Sequence, residues 1–219
     1  ELEVLDKIKT LSNKELDKIK GIFSSVNVAL KRKNMYFNAM ANSKRKDSKG
    51  GPYVPLKIKL DDPRIEDKVS AIFKSVDDIE YYREVMLSVP LGKPVWSYWV
   101  TSRYGTRSDP FKKTKARHKG VDLASRTGNK VNVKGQGKVI RAEYAGAYGN
   151  LVVVDHGNGF QTKYAHLNKI YVKKGDRLEI NDTVGEVGST GRSTGPHLHY
   201  EVLYKGVNVD PLPFLKAKI

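Results

Sequence analysis

Apolar residues recur at steps of three and four over the first part of the chain, which is the spacing of a helix with one buried face. The capping-box sequence Ser12-Asn13-Lys14-Glu15 predicts the start of a first helix that ends near residue 41, after a frayed turn over residues 1–10. The apolar positions of this helix are Leu16, Ile19, Phe23, Val26, Leu30, Phe37 and Met40.

A second stripe with the same spacing follows Asp62-Pro63, an N-cap residue and a proline at the first helical position. It predicts a helix to about residue 88, and the polar, basic stretch at 42–60 predicts the loop between the two helices. Two matching stripes joined by a loop favour an antiparallel helical hairpin over residues 1–89. The apolar positions of the second helix are Ile65, Val69, Ile72, Val76, Ile79 and Met86.

The pattern changes after the segment from Pro90 to Pro94, which breaks the helical spacing. Short runs rich in Val, Ile and Tyr then alternate with glycine-bearing turns, and Asp155-His156-Gly157-Asn158-Gly159 has the sequence of a hairpin turn. The predicted fold class is therefore α+β, an N-terminal antiparallel helical hairpin followed by a mainly antiparallel β domain over residues 90–219. The predicted strands are residues 95–102, 137–144, 150–155, 160–166, 183–187 and 197–204.

Composition narrows the classes of function. The 219 residues include no cysteine, which excludes disulfides, a thiol nucleophile and cysteine-ligated zinc. The net charge of +16 favours an anionic partner such as nucleic acid, anionic lipid or cell wall, but no nucleic-acid-binding motif accompanies it. No run has the length of a membrane span, and because the chain opens with Glu1 we expect a signal or membrane anchor upstream of residue 1.

Candidate chemistry lies in three segments of the β domain. His197 and His199 are two residues apart in a predicted strand, so they point to the same face. His118 and Asp122 form an H-x-x-x-D pattern, and His166 lies in Tyr-Ala-His-Leu. Each segment alone fits a surface or half-buried histidine, but together they hold four of the five histidines.

Zinc suits this set of donors. Catalytic zinc takes three nitrogen or oxygen ligands and leaves one position for water, so two histidines and one aspartate fill the ligand role and two histidines remain. The ion lowers the pKa of its water toward about 7, and a spare imidazole can move the proton or stabilise an oxyanion.

The other polar residues give weaker signals. His156, in the predicted turn, is interpreted as structural, and Ser102 and Ser193 lack the partners of a serine triad. The glycine-rich stretch at 188–195 lacks the ending of a phosphate-binding P-loop, so we expect a flexible polar loop beside a cleft.

These motifs resemble those of the lysostaphin-like, or LytM-type, M23 metallopeptidases. The resemblance runs from about Pro90 to Leu215 and implies a small antiparallel β fold with one zinc ion in a groove. It implies that His118, Asp122 and His199 bind zinc and that His166 and His197 act on water and oxyanion. The motifs are Ser102-Arg-Tyr-Gly-Thr-Arg107, His118-Lys-Gly-Val-Asp122, the segment from Tyr148 to Gly159, Tyr164-Ala-His-Leu167 and the segment from Gly188 to His199.

The resemblance also implies a function, a zinc endopeptidase that cuts the peptide cross-links of bacterial peptidoglycan, with D-Ala–diaminopimelate bonds favoured. We therefore expect a location in the bacterial cell envelope, in the periplasm, with an envelope regulatory protein as a further partner and no specific nucleic acid. The alternative is a non-enzymatic scaffold or amidase activator that works through its helices. Apart from this choice of function, residues 1–89 are predicted to be either a coiled-coil spacer or a regulatory segment whose 42–60 loop reaches the histidines.

Overall fold

The computed structural model describes residues 2–31, 62–108 and 114–217, and these fall into two compact units. The first unit contains the described chain up to Ser24 and then residues 62–85, and the second contains residues 25–31 and everything described from Met86 onwards. The predicted loop at 42–60 and the predicted helix end near residue 41 lie outside the described residues. Among the helices of the described ranges, none is both long and apolar enough to cross a membrane.

The first helix, α1, runs from Leu2 to Lys31 without interruption. The predicted capping box at Ser12 therefore lies inside the helix and does not start it, because neither proline nor glycine precedes Ser12 to break the helix. The apolar face predicted for the described part of this helix is buried. Its members Leu16, Ile19, Phe23, Val26 and Leu30 are each at most 9% exposed.

The second helix, α2, spans Pro63–Ser88, as the sequence predicts. Asp62 caps it, since its Oδ1 accepts a hydrogen bond from the Arg64 amide at 2.9 Å and its carbonyl accepts one from the Ile65 amide at 3.0 Å. The predicted N-cap is thus confirmed.

The direction of α2 differs from the prediction. Lys68, near the start of α2, forms an ion pair with Asp6 near the start of α1 at 2.6 Å. Further along both helices, the rings of Phe23 and Tyr82 have their centroids 5.7 Å apart. The helices therefore run in the same direction, and the predicted antiparallel arrangement is wrong. An antiparallel hairpin needs only a short connection, whereas the sequence has residues 32–62 between the two helices, a length that a parallel pair of helices about 45 Å long also permits.

The second unit is a β domain, in agreement with the predicted fold class, and all its strand pairs among the described residues are antiparallel. Its strands are β1 (Trp99–Ser102), β2 (Gly105–Ser108), β3 (Lys115–His118), β4 (Val121–Ala124), β5 (Lys130–Asn132), β6 (Gly137–Tyr144), β7 (Asn150–Gly157), β8 (Phe160–Leu167), β9 (Lys169–Ile170), β10 (Arg177–Leu178), β11 (Thr183–Glu186), β12 (His197–Tyr204) and β13 (Val207–Val209). A short helix, α3, follows at Leu212–Lys216.

The main sheet has the order β1-β4-β12-β8-β7-β6-β10, with β13 also paired to β12. Smaller sheets are formed by β5-β11-β9 and by β2-β3. The β7–β8 hairpin turns at Asn158 and Gly159, whose φ angles of 48° and 83° are the left-handed values that tight hairpin turns require.

The core of the β domain lies under β8 and β12. Tyr164 of β8 and Tyr200 of β12 are paired in register, are both fully buried and hold their rings 5.4 Å apart. Every residue of β12 after His197 is buried. A strand that is buried along almost its whole length therefore presents His197 and His199 at its start.

Candidate active site

Three strands bring predicted site residues together. His199 of β12 lies directly opposite Asp122 of β4, and side chains paired in this way project from the same face of the sheet. His197 is on that face because it precedes His199 by two residues. His118, the last residue of β3, reaches the same point from the small β2–β3 sheet.

Three side-chain atoms form a closed triangle. His118 Nε2 lies 3.0 Å from Asp122 Oδ1 and 3.1 Å from His199 Nδ1, and the last two atoms are 2.8 Å apart. All three residues are buried, and they form a group that could hold a metal ion. Atoms bound tetrahedrally at about 2.0–2.2 Å lie about 3.3–3.6 Å from one another, so a small outward movement fits these three to zinc.

The outer nitrogens of the two histidines fix their tautomers. His118 Nδ1 lies 2.9 Å from the Arg103 carbonyl oxygen, and His199 Nε2 lies 3.1 Å from Glu201 Oε1. Both oxygens only accept hydrogen bonds, so both nitrogens carry the proton. The nitrogens inside the triangle are therefore left with lone pairs, as a metal site needs.

The charges inside the triangle also suit a cation. Without a metal ion, burial would raise the pKa of Asp122, but protons bound at these inner nitrogens of His118 and His199 are shared with the carboxylate and hold its pKa well below its ordinary value. Burial would lower the pKa of His199, but Asp122 and Glu201 raise it overall. The triangle therefore holds an ionised carboxylate that positive charge at its centre stabilises, and a metal ion in the place of these protons would supply that charge.

His166 reaches this site through an unusual backbone conformation. Its neighbour Ala165 is paired with His199, so simple alternation would turn His166 to the opposite face. His166 instead has a φ of 61°, which is rare for a residue with a side chain. Its ring centroid lies 4.8 Å from that of His197 and 5.8 Å from that of His199, so the left-handed backbone accompanies a side chain directed to the site.

His166 and His197 are held in the same way. Nδ1 of His166 donates to the Thr190 carbonyl at 2.8 Å, and Nδ1 of His197 donates to the Gly195 carbonyl at 2.7 Å. Their Nε2 atoms are therefore the ones that can exchange protons in the cleft, and that of His197 lies 3.7 Å from Asp122 Oδ1. Burial, followed by the charges of His197 and His199, lowers the pKa of His166 to about 4, so this ring is neutral at pH 7.

Glu201 is a residue of this site that the sequence reasoning missed. Its side chain is fully buried, and besides His199 it accepts hydrogen bonds from the Tyr148 hydroxyl and the Asn208 amide, both at 2.8 Å. Lys163 Nζ lies 3.1 Å away. Against the effect of burial, His199, Lys163 and Asn208 lower the pKa of Glu201 to about 2. Alternation could have identified it, because Glu201 follows His197 and His199 at the same spacing of two.

The glycine-rich segment beside the site is anchored by its own contacts. Thr190 Oγ1 donates to the Leu167 carbonyl at 2.8 Å and accepts from the Asn150 amide at 3.0 Å. Gly149 packs so closely that a Cβ there would lie 2.4 Å from the Thr190 carbonyl carbon. These contacts hold the Thr190 carbonyl in place for His166.

The remaining candidates are placed as follows. His156 lies in β7 and is buried, with Nδ1 donating to the Gln136 carbonyl at 2.9 Å and Nε2 2.8 Å from Thr162 Oγ1, so its role is structural. Ser193 comes within 3.2 Å of His197 Nδ1, but that nitrogen already donates to Gly195, so it cannot activate the hydroxyl.

A cavity of about 280 Å³ opens over the triangle. It is lined by all four histidines of the site, by Asp122, Tyr148 and Glu201, and by the cationic residues Arg107, Arg117, Lys119 and Arg192. A peptide group that enters this cavity can therefore contact the triangle and the imidazoles of His166 and His197 at the same time.

The chain is similar to known proteins over this domain. Residues 116–211 match the family model of Peptidase family M23. A curated relative, the peptidoglycan DD-endopeptidase ShyA of Vibrio cholerae serotype O1, is 41% identical over 128 residues, which are 58% of this chain and 29% of that protein. The chain thus spans less than a third of that relative's length.

Two solved structures share the fold. A zinc-containing peptidase from Vibrio cholerae matches with a TM-score of 0.51 and 36% identity, covering 60% of this chain and 40% of that one. The catalytic domain of the antimicrobial peptidase lysostaphin from Staphylococcus simulans matches with a TM-score of 0.50 and 32% identity, covering 54% of this chain and 92% of that one. The chain therefore belongs to peptidase family M23.

Proposed function

We propose that this protein is a zinc-dependent endopeptidase that hydrolyses peptide cross-links of bacterial peptidoglycan, with the D-Ala–diaminopimelate bond as the favoured target. The observation that carries the proposal is the triangle of His118, Asp122 and His199 under an open cavity with two oriented imidazoles beside it. The similarity to a named peptidoglycan DD-endopeptidase supports the substrate class.

In this proposal His118 Nε2, Asp122 Oδ1 and His199 Nδ1 hold one zinc ion per chain. Zinc in such a set of two neutral imidazoles and one carboxylate supplies a Lewis acid that activates water near neutral pH and polarises the substrate carbonyl. Glu201 holds the ring of His199 in the tautomer that leaves Nδ1 available, and the Arg103 carbonyl does the same for His118.

The two spare histidines divide the proton chemistry. His166, neutral at pH 7 with its Nδ1 proton held by Thr190, accepts the proton of the attacking water at Nε2. His197, in its protonated form, donates from Nε2 to the oxygen on which negative charge develops. The hydrogen bond to Gly195 keeps this nitrogen directed at the cleft.

The substrate determines the location of the proposed activity. Peptidoglycan lies outside the cytoplasmic membrane, so the protein acts in the cell envelope, in the periplasm of a Gram-negative cell. A membrane anchor upstream of residue 1 and an envelope regulatory protein that acts on the helical unit are parts of the same proposal.

The competing function is a non-enzymatic scaffold or an activator of amidases. A protein of this kind needs neither a complete set of metal donors nor oriented bases. The intact triangle and the anchored Nε2 atoms of His166 and His197 therefore favour the hydrolase.

The test combines metal content with product analysis. The purified protein is assayed for bound zinc and incubated with isolated cell wall, and the released fragments are identified by mass spectrometry. We expect about one zinc per chain and fragments cut between D-alanine and diaminopimelate, with neither from the His118→Ala variant. Zinc binding without any cleaved fragment would instead support the scaffold.

A further inference from the structure

The mouth of the cavity carries an excess of positive charge. Of its charged residues, the carboxylates of Asp122 and Glu201 are buried and already bonded to histidines. The cationic residues are nearer the solvent, with Arg117, Lys119 and Arg192 exposed and Arg107 half-buried. A ligand that enters this cavity therefore meets cations first, and an anionic group on it is attracted.

Arg107 lies next to the triangle. In the β2–β3 sheet it is paired with Ala116, and it shares a face with His118, two residues beyond Ala116. Its guanidinium lies 3.4 Å from Asp122 Oδ2, which is the oxygen outside the triangle. This long contact uses one terminal nitrogen of a group with five N–H donors, so the guanidinium can also bind a second anion.

Arg192 approaches from another part of the chain. Its backbone amide donates to the Ala147 carbonyl at 2.9 Å. It lies between Thr190 and Gly195, whose carbonyls hold His166 and His197. Two arginines on separately anchored segments thus border the place where the scissile bond must lie.

We propose that Arg107, assisted by the charge of Arg192, binds a carboxylate that the substrate carries beside the scissile amide. This inference rests on the proposed function. In a cross-link to diaminopimelate, the carbon that bears the scissile nitrogen also bears a carboxylate, and a planar guanidinium matches a carboxylate with two parallel hydrogen bonds. The pair of arginines therefore selects cross-links in which this carboxylate is free over those in which it is amidated.

The experiment compares two synthetic cross-link peptides that differ only in this group, a free carboxylate or a carboxamide. With the zinc-loaded full chain we expect kcat/KM to be about tenfold to a hundredfold higher for the free acid, as for the loss of a charged hydrogen bond. Binding of the same peptides to the His166→Ala variant, followed by fluorescence anisotropy, should show the same preference without turnover.

The variants locate the preference. Arg107→Gln and Arg192→Gln should each reduce the ratio between the two peptides, with the larger reduction for Arg107→Gln. Both are assayed at saturating zinc, because Arg107 also contacts the proposed ligand Asp122. Arg177→Gln removes the same charge from β10, at the edge of the main sheet away from β4 and β12, and should keep the full ratio.

The outcomes separate this inference from the proposed function. Equal cleavage and equal binding of both peptides would overturn the role of the arginines and leave the hydrolase intact. Selective binding of the free acid with no cleavage of either peptide would support the carboxylate site and count against the hydrolase.

Discussion

At the scale of single residues, His118 is the proposed zinc donor that comes from outside the main sheet. Its replacement by alanine removes one corner of the triangle without disturbing the pairing of β4 with β12. We expect His118→Ala to lower zinc affinity by more than about a hundredfold. Even the loss of a residue that only hydrogen-bonds to a metal ligand lowers metal affinity by about 10–100-fold. Equilibrium dialysis against a chelator measures this loss, and unchanged affinity would show that the ion is held elsewhere.

We expect Glu201 to act on the proposed metal site through His199, whose Nε2 it contacts. Glu201→Gln keeps the shape of the side chain but removes the negative charge that faces His199 Nε2. We expect the zinc dissociation constant to rise by about 10–100-fold, with a smaller effect on kcat at saturating zinc. Glu179→Gln, an exposed residue of the same domain, is the matched control. A fall in kcat at unchanged zinc affinity would contradict this positioning role.

We expect two buried histidines to make the metal-free fold sensitive to mild acid. Burial lowers the pKa of His156, and it lowers that of His166 to about 4, whereas both titrate near 6.5 in an unfolded chain. Between about pH 6.5 and 4.5 the unfolded chain therefore binds protons that the folded protein does not. The free energy of unfolding falls as the pH is lowered through this window.

The contributions of the neighbouring groups lie outside this window. The pKa of His199 is raised, so its stabilisation is complete below pH 6.5, and the lowered pKa of Glu201, about 2, matters only below about pH 4.5. Urea unfolding at several pH values, with a chelator present, should show that the free energy of unfolding falls as the pH is lowered. The His166→Gln variant should show a weaker dependence of this free energy on pH. A pH-independent stability across this window would contradict the assignment.

The sequence was sufficient to name the four histidines and the aspartate that meet at the site, but it identified neither Glu201 nor the hydrogen bonds that orient the rings. Spacing placed His197 and His199 on one face and suggested that His118 and Asp122 belong with them. It could not show that His166 needs a left-handed backbone to reach them, because alternation predicts the opposite face. The outer hydrogen bonds to Arg103, Thr190 and Gly195 are made by backbone carbonyls, which carry no sequence signal.

At the scale of elements, the contact between the turn before β7 and the glycine-rich segment positions His166. Gly149 has a φ of 62°, and an added Cβ would lie 2.4 Å from the carbonyl carbon of Thr190, whose oxygen accepts a hydrogen bond from His166 Nδ1. Gly146, in the same turn, has a φ of 53° but open space around it. Alanine at either position would therefore adopt the same unfavourable left-handed backbone, but only alanine at position 149 would also clash with Thr190.

We predict that Gly149→Ala reduces kcat strongly while Gly146→Ala does not. Both substitutions should lower stability by about 1 kcal/mol through their left-handed backbone, and Gly149→Ala should lower it further. Thermal unfolding and turnover of a peptide substrate give the two readouts. Equal activity of the two variants would mean that the Thr190 carbonyl is not critical for His166.

The elements that sequence predicted well are those whose pattern is long. Strands β6 and β12 span the predicted residues 137–144 and 197–204, because eight alternating positions leave little ambiguity. The four-residue strands β2, β3 and β4 were missed, since four positions hardly define a period. The stripe of α1 indicated which face of that helix is buried, whereas Val76 of the predicted α2 stripe is exposed. A stripe has the same spacing in either chain direction, so it could not show that α1 and α2 run parallel.

At the scale of the whole molecule, the two compact units do not divide the chain at the predicted boundary of residue 89. The second unit includes residues 25–31 of α1, where Val26 and Leu30 are fully buried. It also includes the end of α2, where the Leu87 carbonyl accepts a hydrogen bond from the Gln136 amide at 2.7 Å. Removal of residues 1–89 would therefore take away part of the β domain's own packing.

Removal of residues 1–24 gives the cleaner test of the proposed regulatory role of the helices. This truncation takes residues from the first unit only, so we expect the thermal stability and zinc content of the β domain to be kept. Removal of residues 1–89 should lower stability, since burial of Val26 and Leu30 contributes about 1.5–3 kcal/mol for each side chain.

If the helices restrain the cleft, the shorter truncation hydrolyses isolated cell wall faster than the full chain does. An unchanged rate at equal zinc content would leave the helices as a spacer, because a restraint that can be removed without consequence does not regulate the enzyme.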